Sequence, residues 1–253
     1  MPTTTERLGR TRLRVSPGEG GGRCVVRSSV IGSDPTVPTI RPVITHHDAH
    51  RARVCLLPEG ALLLAGDAIE LDLTVDPGVT LEVVEPGGTV AYDMHGGRAS
   101  WDVAVRVGAG ARLSWAGEPF VVAEGAQVDR RTRIRYAEGA RVALREVVVL
   151  GRHAERPGRV RLRADVRRDR RPVLVEDLDL GPGSAPTLLG RHRVLASVLS
   201  LGTEEATDGV DVDRFDLARA GATLWRTYAH QAHQTRLEDA WTLASRAALT
   251  GSD

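Results

Sequence analysis

A glycine followed by a small residue and then by apolar residues at every second position recurs six times in this chain, and that phrase limits what it can fold into. It reads GALLLA from Gly60, GVTLEV from Gly78, GARLSW from Gly110, GAQVDR from Gly125, GARVAL from Gly139 and GATLWR from Gly221. Glycine enters the positive-φ turn region without a Cβ clash, and a period of two is that of a strand with one buried face. Each copy is therefore predicted to be a turn followed by a strand. The copies at 110, 125 and 139 lie 15 and 14 residues apart, which suits one strand and its return turn per unit, stacked to share a core. The fold class that follows is mainly β, with stacked, partly β-helix-like strands.

The remaining segments extend that pattern. In GDAIELDLTVD from Gly66, Ile69, Leu71, Leu73 and Val75 fall on one face. A turn is expected at residues 95–97, then a strand through Val103, Val105 and Val107, and a short strand in GEPFVV from Gly117. VDRRTRIRY places Val128, Thr132, Ile134 and Tyr136 inward and Arg131, Arg133 and Arg135 on a solvated face. REVVVLGRH from Arg145 is apolar on both faces and predicts a central strand covered on two sides. Further strands are expected from Cys24, Arg159, Pro172 and His192, with Pro35, Pro38 and Pro42 marking a loop. Only the end reads as helical. Thr235 with Glu238 forms a capping-box pattern, Leu237, Trp241, Ala244 and Ala248 follow at helical spacing, and Gly251 is placed to stop the helix. The expected organisation is one domain over residues 1–253, with residues 1–22 a flexible start holding a strand at 13–15, and a helix at 235–250.

Composition removes several function classes. The formal charge of +1 argues against a dedicated nucleic-acid binder, and aromatics at 4% leave the core to aliphatic side chains. Every basic residue other than histidine is Arg, so a Schiff-base lysine and a phosphate-loop lysine are both excluded. Two cysteines, Cys24 and Cys55, are too few to staple such a domain, and no apolar run resembles a signal peptide or membrane span, so a cytoplasmic setting is expected. No G-x-S-x-G elbow, H-E-x-x-H or C-x-x-C occurs. No enzymatic activity is expected.

Three sets of residues remain as candidates for handling a cation. His46, His47 and His50 with Asp48 form the densest histidine cluster, and His230 with His233 has metal-like spacing. Following the alternation places Glu146 on a face with Val142, Leu144, Val148 and Leu150, and Glu176 on a face with Leu174, Leu178 and Leu180. A carboxylate on an apolar face must be paired with a cation such as Arg, protonated, hydrated or ligating. Asp67, after the GALLLA turn, is a third such carboxylate, although Asp after Gly is also ordinary turn chemistry.

LLLAGDAIEL, the GA-opened strands, GEPFVV, REVVVLGRH and PVLVEDLDLG, in that order, resemble the family of the urease accessory protein UreD, called UreH in some systems, over about residues 53–202. The resemblance implies a β-rich scaffold and chaperone of urease maturation that joins apo-urease to UreF and the GTPase UreG. It also implies an internal passage for nickel, with no tightly bound cofactor. Interior carboxylates suit such a passage, because a few oxygen ligands bind a borderline cation weakly enough to release it. Glu146 and Glu176 are then the expected lining, with Asp67 as a further candidate and His46, His47 and His50 as weaker ones. The sequence departs from the family pattern at Val83, Val84 and Glu85, where many relatives carry a Thr-Thr pair and a Lys, and in a short C-terminal part. Two other readings compete: a β-stack binding module unrelated to urease, and a β-barrel metalloenzyme built on the His46 cluster.

Overall fold

The computed structural model describes residues 7–60, 62–203, 212–219 and 221–250. In chain order the strands are β1 (Arg7–Ser16), β2 (Val25–Gly32), β3 (Thr39–His47), β4 (Arg51–Glu59), β5 (Asp67–Val75), β6 (Thr80–Val84), β7 (Thr89–Ala91) and β8 (Ala99–Val107). They continue as β9 (Arg112–Val122), β10 (Gln127–Tyr136), β11 (Arg141–Leu150), β12 (Arg159–Arg168) and β13 (Arg171–Leu180). The short helix α1 (Ala185–Leu189) precedes β14 (Val194–Leu201), β15 (Asp213–Asp216) and β16 (Ala222–Ala229), and α2 (Glu238–Leu249) ends the fold.

Two sheets face each other. The first runs β13-β12-β10-β8-β5-β1-β2, and the second runs β15-β16-β14-β11-β9-β6-β4-β3 with β7 paired to β9. Strands β1, β5, β8, β10 and β12 are mutually parallel in the first sheet, as are β4, β6, β9 and β11 in the second. From β8 to β12 the chain alternates between the sheets, one strand in each, which is a solenoid-like winding. Antiparallel strand pairs close the ends. This bears out the stacked, partly helix-like β fold. It also explains the 14- and 15-residue spacing, since two glycine phrases complete one coil.

All six phrase glycines have φ between +65° and +85°. Five of them open strands β6, β9, β10, β11 and β16 as expected. The first does not. Leu62, Leu63 and Leu64 form a buried or half-buried irregular crossing with Leu63 at φ 54°, because three successive leucines lack the alternation a strand would need. The interior between the sheets is aliphatic and includes Leu71, Leu73, Leu81, Val83, Val103, Val105, Leu113, Ile134 and Val142. The outer face of the first sheet carries ion-paired charges, among them Arg161 with Asp177 at 2.6 Å, Arg163 with Asp129 at 3.2 Å and Arg135 with Asp165 at 2.8 Å. The Arg131–Arg135 stripe belongs to that solvated face.

Strand β11 is covered on both sides as its sequence requires. Its outer face, with Ala143 and Val147, packs with β14, Trp225 and the alanines Ala240, Ala244 and Ala248 of α2. Small side chains let the helix approach the sheet closely.

Several expectations need correction. Residues 7–16 are a ten-residue strand paired to β5 on one side and β2 on the other, so the start is not loose up to residue 22 and its strand is longer than 13–15. Pro35 and Pro38 lie in the loop between β2 and β3 as expected, but Pro42 sits within β3, an edge strand on which a missing N–H is tolerated. The C-terminal helix begins at Glu238, and its N-cap is Leu237 without a side-chain cap. Thr235 instead bonds to the Ala232 carbonyl in the preceding 3-10 turn. Gly251, expected to stop the helix, lies outside the described residues. The sequence reading also missed α1, whose five residues are too few to show a period.

Candidate functional site

Polar groups are costly between two aliphatic sheets, so those present there define the site. Glu146 lies on the inter-sheet side of β11 opposite an irregularity in β9. The pairing steps from Arg145↔Ala116 to Val147↔Pro119, so Gly117 and Glu118 together oppose Glu146. A Cβ on Gly117 would stand 2.4 Å from the Arg145 carbonyl oxygen, so only glycine fits this bulge.

Glu146 accepts hydrogen bonds from Arg130 Nη2 at 2.9 Å and from Thr132 Oγ1 at 3.2 Å. Arg130 belongs to β10 in the opposite sheet, and its guanidinium stacks over Phe120 at 4.7 Å from the ring centre. Glu176, on β13 at the edge of the first sheet, accepts two parallel bonds from Arg226 of β16, at 2.7 and 2.8 Å. Burial acts to lower the pKa of the Arg226 guanidinium, but the hydrogen bonds and charge of Glu176 outweigh it and the net direction is up. Both carboxylates therefore have the arginine partner that their position demanded, and both pairs tie one sheet to the other.

Sequence reasoning missed three members. Arg130 lies on the same strand face as Val128 and Thr132, and the alternation alone would have found it. Arg226 lies on a strand recognised only as a glycine phrase. Glu85 follows β6 and accepts from the Trp115 indole N–H at 2.8 Å and the Glu118 backbone N–H at 2.9 Å. Burial raises its pKa, against the lowering effect of those two donors.

These groups border a series of small cavities between the sheets. One of about 20 Å³ is bordered by Glu85, Trp101, Trp115, Phe120, Arg130 and Glu146. A second of about 40 Å³ shares Arg130, Thr132 and Glu146 with it and continues to Glu176, Ser197 and Arg226. A third of about 10 Å³ meets Glu85 from the side of Ile40, Leu56 and Pro58. A space of about 10–15 Å³ admits one water molecule, so the string is scaled to single waters or ions and is too narrow for an organic substrate.

The other candidates lie elsewhere. Asp67 is buried but serves its turn: Oδ2 accepts from the Leu64 N–H at 2.7 Å, and Arg7 approaches Oδ1 at 3.1 Å. Burial raises its pKa. His46 and His47 are the last residues of β3 and His50 is in the turn beyond it. His46 Nε2 lies 3.4 Å from Asp48, His47 Nδ1 lies 3.2 Å from the Cys24 carbonyl, and the His50 backbone N–H bonds to Asp48. None of these four residues borders the three cavities. Among the described residues no group of three or more His, Cys, Asp or Glu is placed to hold a metal, the His46 cluster included. No described helix is long and apolar enough to cross a membrane.

The sequence is similar to those of known proteins. A protein of Streptomyces griseus subsp. griseus named urease accessory protein UreD 1 is 49% identical over 179 residues, 70% of this chain and 70% of that one. The urease accessory protein UreD of Streptomyces avermitilis is 36% identical over 63% of this chain and 66% of its own. That of Frankia casuarinae is 34% identical over 79% and 73%. The family model described as UreD urease accessory protein matches residues 20–251, and the chain belongs to that family.

Proposed function

We propose that this chain acts in urease maturation as a cytoplasmic scaffold without catalytic chemistry of its own. It joins apo-urease to UreF and the GTPase UreG, and nickel, carried as cargo, passes between its two sheets. The observation that supports this reading is the string of adjoining cavities with carboxylates at its junctions: Glu85 between two of them, and Glu146 shared by the two that lead to Glu176. Oxygen donors in small number favour release of a borderline cation over retention. The arginines supply a second element. A cation reaching Glu146 or Glu176 must displace the Arg130 or Arg226 guanidinium, since like charges in a poorly hydrated space repel. The passage is thus closed while the pairs are made. Asp67 and the His46 cluster have no part in it.

The test is urease activation with Glu146→Ala and Glu176→Ala combined. Nickel content and activity of the urease are expected to fall, while UreF, UreG and urease still co-purify with the variant. Undiminished activation with the complex intact would sink the passage. Failure of the wild-type chain to bring down any urease subunit or accessory protein would sink the scaffold.

A further inference from the structure

The antiparallel pairing of β14 with β16 brings together two histidines that are 38 positions apart. His192 precedes β14 and His230 follows β16. The register that sets Val194 opposite Ala229, together with the Arg193 N–H bonded to the Ala229 carbonyl at 3.1 Å, places the two side by side. Their ring centres are 4.9 Å apart with planes inclined at 49°, and both residues are exposed. Two imidazoles bound to one metal through bonds of about 2.1 Å, at an angle between a right angle and tetrahedral, have ring centres roughly 4.6–5.3 Å apart. The observed separation falls in that range.

A second observation concerns which nitrogen is free. His192 Nδ1 lies 3.2 Å from the Leu189 carbonyl oxygen. A carbonyl only accepts, so Nδ1 carries the hydrogen and Nε2 is the ring nitrogen left to ligate. This is the outer-shell bond that fixes tautomer and ring orientation in metal-bound histidines. The carbonyl itself is held by the last turn of α1, which ends at Gly190 with φ 59°.

We propose that His192 and His230 form a surface site for a borderline divalent cation such as Ni²⁺ or Zn²⁺. Among the described residues no third His, Cys, Asp or Glu completes the set. The remaining positions therefore go to water or to a donor on another protein, and the cation exchanges. The cleft of about 550 Å³ that His192 borders with Glu124, Glu155 and Arg191 gives such a donor room to approach. The site does not depend on the passage between the sheets, because neither histidine borders those cavities.

Isothermal titration with NiCl₂ tests it on the full chain in which His46, His47 and His50 are replaced by Ala, so that the other cluster contributes nothing. That parent is expected to take up one saturable equivalent. Adding His192→Ala or His230→Ala should weaken binding by at least the roughly 10- to 100-fold that loss of an outer-shell partner costs. Both together should abolish it with the melting temperature unchanged. With Cu²⁺ as probe, nitrogen hyperfine structure in the electron paramagnetic resonance spectrum should be present in the parent and absent from the pair variant. The proposal is overturned if the parent takes up no Ni²⁺, or if the pair variant binds it as the parent does.

Discussion

Replacing Arg226 with Met would strand the Glu176 carboxylate inside the fold while keeping a side chain of similar length. Removing one partner of a buried ion pair costs about 3–5 kcal/mol, because the remaining charge has lost its water and its counter-charge. The Arg226 side chain is 14% exposed and that of Glu176 is 23% exposed, so partial hydration softens the penalty. We expect about 2–3 kcal/mol. In a chain of this length each kcal/mol shifts the melting temperature by about 2–4 °C, which places the loss at about 4–12 °C. The Glu176→Leu, Arg226→Met pair removes both charges from a cavity already bordered by Val148, Leu162 and Leu195, and is expected to cost less than about 1 kcal/mol. Equilibrium urea unfolding of the wild type, the two single variants and the pair closes a double-mutant cycle, with an expected coupling of at least about 3 kcal/mol, since each single variant strands one charge and the pair strands none. If the single variants were additive, or if Arg226→Met were as stable as the wild type, the two residues would not act as a clasp between the sheets.

Gly117→Ala should lower stability by about 1–3 kcal/mol, read as a shift in urea midpoint, because its Cβ meets the Arg145 carbonyl oxygen at 2.4 Å. Gly110, with φ 65° and open space around it, should tolerate Asn better than Ala, whereas Gly117 should tolerate neither. Glu85 has a folded pKa raised by burial, so the folded chain holds that proton more tightly than the unfolded chain does. Its contribution is present below the unfolded pKa and is lost as pH rises through the folded one. The stability of the wild type relative to Glu85→Leu should therefore decline from acid to neutral pH, and a widening difference would contradict the assignment. Glu155 behaves in the opposite sense. The Arg152 side chain and N–H hold its pKa down to about 2, so its contribution is present above the unfolded pKa and is lost as pH falls towards that value. A carboxyl NMR titration should place the midpoint there, and Arg152→Ala should raise it only part of the way to the ordinary glutamate range, because the backbone N–H of residue 152 still donates to Glu155.

Much of the wall of this fold was legible in the chain. The phrase glycines marked turns because positive φ excludes most other residues, and alternation gave the buried faces of β5, β8 and β10. The same test found Glu146 and Glu176 as interior carboxylates and anticipated that arginine was the natural partner. It did not find the partners themselves, nor Glu85, whose hydrogen-bond donors are the Glu118 N–H in the bulge and the indole of Trp115. Residues 62–64 show the limit of the method, since an apolar run without a period is equally at home in a buried crossing.

Local chemistry thus determined where this chain turns, which face of each strand is apolar and which catalytic classes it cannot enter, because each of those depends on one residue or its near neighbours. Which sheet each strand joins was decided only by the tertiary structure, and with it the pairing of Arg130 with Glu146, of Arg226 with Glu176, and of His192 with His230. Those contacts join residues from 16 to 50 positions apart, and a period of two carries no information about what lies across the space between two sheets.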